Sequence, residues 1–110
     1  MEKSSLIATA REHLEAARAV SSGRSSTTVF GGHERILRQT LIALVAGQEL
    51  REHENPGEAT VQVLQGRAWL RAGELAWEGS AGDLLVVPDR AHSLEAVEDC
   101  VVLLTVAKLG

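Results

Sequence analysis

The periodicity of the chain changes once. Between residues 5 and 20, Leu6, Ala10, Leu14 and Ala17 recur at steps of three and four, with His13 beside Leu14. That spacing gathers a narrow apolar stripe on one side of a helix. Ser4 or Ser5 stands where a capping hydroxyl would start it, and Glu15 and Arg18 can pair three apart. The run "SSGRSS", 21–26, ends the pattern and reads as a flexible linker. The expected organisation is a helix and linker over 1–26, an arm outside the main core, followed by a second unit over 27–110.

Beyond Thr27 no helical period survives. Short β-type runs fall near 27–30, 35–45, 49–53, 59–65, 67–72, 74–78, 83–87, 91–97 and 99–107. Turn signals such as Gly31-Gly32, Ala46-Gly47, Pro56-Gly57 and Pro88-Asp89 separate them. "LLVV" at 84–87 and "VVLLTVA" at 101–107 are continuously apolar, which suits strands covered on both faces. In "RAWLRA", Ala68, Leu70 and Ala72 alternate with Arg67, Trp69 and Arg71. Leu70's face is expected inward, and Trp69 outward beneath a partner or the helix. Leu75 and Trp77 share a face, and Trp77 is expected in the core. So many short strands in roughly 80 residues predict an all-β sandwich or closed barrel.

Composition then removes function classes. A chain of 110 residues with 45% hydrophobic residues is one domain with a core of its own. The net charge is −4, both signs are interleaved, and no basic stripe exists, so nucleic acid is not an expected partner. No apolar run approaches the ~20 residues that cross a bilayer, so no membrane is expected either. Charges interrupt every apolar stretch near the start, unlike a signal peptide. The single cysteine, Cys100, forms no internal disulfide; it reads as a small buried hydrophobe with no base beside it. The expected compartment is the cytoplasm. No phosphate loop, CxxC pair or HExxH stretch occurs.

Two segments carry candidate chemistry. Five residues separate Gly47 from His53, and Pro56 and the run "TVQVLQG" ending at Gly66 follow. Further on come Gly82-Asp83, "LLVV", Pro88 and His92. Together these resemble the two motifs of the cupin superfamily, G-x5-H-x-H-x3,4-E-x6-G and G-x5-P-x-G-x2-H-x3-N, within a span of about 35–107. The resemblance implies a cupin-type double-stranded β-helix, a jelly-roll barrel, here with an N-terminal α-helical arm. It also implies that metal ligands from different strands converge at one end of the barrel. The departures are specific. Asn55 stands for the second histidine, Ala59 for the glutamate, and Ala96 for the final asparagine; "PDRAH" lacks the motif's glycine.

The resemblance therefore implies His53 and His92 as the retained metal ligands, with Asn55, His33 and Glu58 as further candidates. Each of the three also has a plainer reading. Asn55 suits a turn before Pro-Gly, His33 a surface loop beside two glycines, and Glu58 a solvated rim with Glu49, Glu52 and Glu54. A regular strand would turn Glu58 away from Ala59's face, so recruiting it needs a bulge at Pro56-Gly57. Two imidazoles and an amide compensate a dication poorly. The expected cofactor is thus none, or one weakly held divalent transition metal (Fe, Mn, Zn or Ni). Ile42, Leu44, Val61, Val63, Leu70, Leu85 and Val87 are expected to line a pocket for a small apolar or amphipathic ligand. A homodimer pairing through sheet edges, with strand 27–30 exchanged, is the expected assembly.

Three functions remain open. One is a small-molecule-binding or sensory cupin with little or no catalysis. Another is a metal-dependent enzyme, dioxygenase- or isomerase-like, using His53, His92 and a substitute ligand. The third is a non-catalytic protein-interaction module whose helix docks on a partner. The fold does not choose among them.

Overall fold

The structure, a computed structural model, describes residues 3–53 and 57–108. Asn55 lies outside the described residues, as do the side chains of Glu52 and His53. Among the described residues, one helix, α1 (Leu6–Ala19), precedes nine strands. These are β1 (Arg24–Phe30), β2 (Leu37–Leu44), β3 (Glu49–His53), β4 (Gly57–Gln65), β5 (Arg67–Ala72), β6 (Leu75–Ser80), β7 (Leu84–Val86), β8 (His92–Ala96) and β9 (Cys100–Lys108). The strands form two sheets, a five-stranded one ordered β1-β2-β9-β4-β7 and a four-stranded one ordered β3-β8-β5-β6. Every ladder is antiparallel. Two such sheets packed face to face make a jelly-roll barrel.

The main core fills the space between the sheets. Leu44, Val63, Leu70, Cys100 and Val102 are fully buried there. Strand β9 explains its own unbroken apolar run: Val102 and Val106 face this core, while Val101 and Leu103 face the opposite way. That second face is covered by α1. Ser5 caps the helix by accepting from the Ala8 N–H at 3.2 Å. The stripe Ala10, Leu14 and Ala17 packs on Leu41, Ala43, Val101 and Leu103 as a separate apolar cluster. The helix thus lies outside the barrel interior, but it is bound to the outer sheet face rather than extended as a free arm. The Arg18 Nε–Asp99 Oδ2 ion pair, 2.8 Å, fastens it to the β8–β9 turn.

Three expectations change. Residues 21–26 are not a linker: Gly23, at φ 65, completes a turn after the helix and β1 begins at Arg24. The stretch is polar because β1 edges its sheet. Ser25, Thr27 and Val29 are half-buried on one face while Arg24, Ser26, Thr28 and Phe30 are exposed on the other. Trp77 is not core. It pairs with Leu70, so its face was read correctly, but β6 is a sheet edge and Trp77 is 41% exposed. "LLVV" is covered on one side only. Leu85 packs against the core, whereas Leu84 and Val86 are exposed on β7, the edge strand opposite β1. Among the described residues, no helix is long and apolar enough to cross a membrane.

Candidate functional site

Cross-strand rows on the inner face of the barrel position the site. In the five-stranded sheet the β2–β9 register is unbroken, with Ile42 opposite Val102, Thr40 opposite Leu104 and Arg38 opposite Val106. Strand β4 continues the rows, placing Val63 beside Val102, Val61 beside Leu104 and Ala59 beside Val106. In the other sheet Leu50 of β3 is opposite Leu94 of β8, and Leu94 is opposite Leu70 of β5. The β3–β8 register then shifts, and His53 comes directly opposite His92. Three steps along β3 thus answer two along β8, the signature of a β-bulge. The two motif histidines are backbone partners across one ladder, one from each motif segment of the chain. Gly47, which opens the first of those segments, turns at φ 87, a conformation that a side chain disfavours.

His92 is 4% exposed. Its Nδ1 lies 3.2 Å from the Arg90 carbonyl oxygen. A carbonyl has no proton to give, so Nδ1–H is the donor in this contact. The ring borders a small cavity of about 20 Å³, room for one water rather than for a ligand. Of the seven residues expected to line a pocket, Ile42, Val61 and Leu70 do so. Leu44, Val63, Leu85 and Val87 are instead packed elsewhere in the core. Leu50, Leu94, Val102 and Leu104 complete the lining. Parity along β8 and β9 would have found Leu94 and the pair Val102 and Leu104, since Leu94 is two residues from His92.

Of the remaining candidates, the structure describes Glu58 and His33, and both are exposed. Ala59, where the cupin motif has its glutamate, is 6% exposed in the interior cluster. Glu58 is exposed on the other face, because the β4–β9 ladder runs unbroken through Gly57, Glu58 and Ala59 and no bulge turns it inward. His33 is exposed in the β1–β2 loop. Among the described residues no three His, Cys, Asp or Glu side chains are grouped to hold a metal ion. One residue not singled out from the sequence belongs to this end of the barrel. Arg38, half-buried, shares the inner face with Ile42 and Leu44 and lies in one row with Val106 and Ala59.

Cys100 is buried at the opposite end of β9, where burial, helped by the charges of Asp99 and Glu98, pushes its thiol up to about 11. It is a packing residue and no nucleophile.

A two-sheet antiparallel barrel with a buried histidine at one end of its inner face defines a jelly roll of cupin type. No family model matches the sequence, and no curated protein does. Among solved structures, a conserved protein of unknown function from Streptococcus pyogenes is 30% identical, with 83% of this chain and 79% of that one covered and a TM-score of 0.74. An RmlC-like cupin protein from Desulfovibrio desulfuricans is 28% identical over 76% of this chain and 81% of that one, with a TM-score of 0.67. The chain belongs to the cupin superfamily. A salicylate 1,2-dioxygenase from Pseudaminobacter salicylatoxidans shares the fold at a TM-score of 0.76. It is 19% identical, and the match covers 91% of this chain but 33% of the enzyme.

Proposed function

We propose that this cupin binds a small molecule at the mouth of its barrel, as a carrier or sensor with little or no catalysis of its own. The observation that carries the reading is Ala59: an apolar, buried side chain occupies the place from which a carboxylate would complete a metal site. Below the mouth, the cavity that the described residues leave beside His92 is about 20 Å³. The ligand therefore rests across the mouth, over the partly buried Leu50 and Leu104, with its tip toward His92. A metal-dependent oxygenase is the competing reading, and the opposition of His53 and His92 is what favours it.

Thermal melts across a panel of small metabolites test the proposal. A ligand present at 100 times its Kd adds about 2.7 kcal/mol, which raises the melting point of a chain this size by roughly 10 °C. A rise with a metabolite in metal-free buffer supports binding. Rises with divalent metals alone, and with no metabolite, would overturn it.

We further propose that two copies pair along β1. Its outer edge makes no backbone ladder within the described chain, it has no proline, and Arg24 is its single charge. Such an edge is a template for another strand.

A further inference from the structure

We propose that the barrel mouth is built for an anion, namely the carboxylate of a small monocarboxylic acid with a short apolar body, and that Arg38 receives it. The inference rests on the mouth being the ligand site and adds the chemical class of the ligand. Arg38 sits on the inner face of β2, half-buried, at the level of Val106. Its guanidinium makes no ion pair or hydrogen bond with a described residue, whereas Arg18, Arg67 and Arg71 are each paired with a carboxylate. A cation held partly out of water without a counter-charge is costly, and a bound anion removes that cost.

The described surroundings favour an anion as well. The far end of Arg38's row is Ala59, and the neighbouring carboxylate, Glu58, faces the opposite side of the sheet. Lys108, two positions beyond Val106 on β9, adds a second positive charge at this end while its Nζ donates to the Gly32 carbonyl. The planar fork of a guanidinium matches a carboxylate bidentately, which a spherical anion does not use. The strand also sets a length. Leu104, which lines the cavity, is one inner-face step deeper than Val106. Two residues of strand span about 6.6 Å. A carboxylate at Arg38 with its apolar end at Leu104 therefore belongs to a molecule of one ring or about four carbons.

Benzoate and its neutral isostere benzamide, titrated calorimetrically into the full chain, test this. The wild type is expected to bind benzoate about tenfold or more tightly than benzamide. Arg38→Gln should bind benzoate about tenfold more weakly than wild type while benzamide is unchanged, and Arg38→Lys should keep part of the preference. Equal binding of benzoate and benzamide by the wild type overturns the anion site but leaves small-molecule binding standing. So does a benzoate affinity unchanged in Arg38→Gln. If neither compound binds and a metal ion binds stoichiometrically instead, both this inference and the functional reading fall.

Discussion

Replacing Ala59 by glutamate supplies, in one step, the carboxylate that the cupin motif has at this position. Ala59 is 6% exposed and packed in the interior cluster, so the new carboxylate has apolar neighbours. An uncompensated buried charge costs about 3–5 kcal/mol. Arg38 lies two strands away in the same row, roughly 10 Å at ordinary strand spacing, and both side chains are long enough to approach each other. Their pairing offsets part of the cost and leaves about 2–3 kcal/mol of destabilisation. For 110 residues each kcal/mol moves the melting point by roughly 4 °C, so Ala59→Glu should melt about 8–12 °C below the parent at pH 7. The sign of the pH dependence follows from burial. A carboxyl that is harder to ionise when folded holds its proton longer there than in the unfolded chain, so the variant's deficit grows as pH rises and shrinks toward pH 4. Circular-dichroism melts of both proteins at several pH values read this directly. Added zinc should raise the variant's melting point more than the parent's, since the variant offers an anionic ligand where the cupin motif has its glutamate. A variant as stable as the parent at every pH would show that position 59 is solvated, and the inner-face assignment would be wrong.

Other expectations concern the rest of the molecule. The Asp99 carboxyl is held below its ordinary value by the Ala46 N–H, which donates to it at 2.9 Å, and by Arg18. Its contribution is complete above the unfolded carboxyl's pKa and is lost as pH falls through the folded one. Both groups of the ion pair are partly exposed, so Asp99→Asn should cost about 0.5–1 kcal/mol at pH 7, and a melt series into acid should show that difference vanish. Cys100, buried and with its thiol pushed up to about 11, should not react with a thiol-specific disulfide reagent at pH 8 until the chain is unfolded, when one equivalent appears; rapid reaction of the native protein would contradict its placement. Leu70→Ala, at a fully buried position lining the cavity, should cost about 3 kcal/mol in chemical unfolding, and a loss under about 1 kcal/mol would mean that the site is loosely packed. Light scattering at micromolar concentration should give twice the chain mass if β1 edges pair, and a monomer mass refutes that pairing.

Most of the architecture was legible because two periods do not overlap. The step of three and four at Leu6, Ala10, Leu14 and Ala17 gave the helix and its buried stripe, and alternation in "RAWLRA" gave the inner face of β5. Alternation assigns a face and leaves open whether anything covers it. Trp77 and Leu75 lie on the expected face of an edge strand and are exposed, as are Leu84 and Val86 on the other sheet's edge. The Ser/Thr-rich start of β1 read as linker for the same reason, since an edge strand half-covered by a helix needs few apolar residues. At the site, the loss of the carboxylate was legible from Ala59 and from the parity of Glu58. The resemblance implied that His53 and His92 converge, but the register shift between Leu50 and His53 that sets them opposite each other is one that no residue pattern announces. Arg38 was equally hidden: only the ladder through Val106 brings it level with Ala59.

Metal content decides most directly whether the mouth is a metal centre or a site for an organic ligand. Tag-free protein, analysed for iron, manganese, zinc and nickel after dialysis against each ion and removal of the excess, should hold well under one equivalent of any of them. The double variant His53→Ala, His92→Ala should hold the same trace. One equivalent of a single metal per chain, lost in that double variant, would show that the mouth is a metal centre despite Ala59.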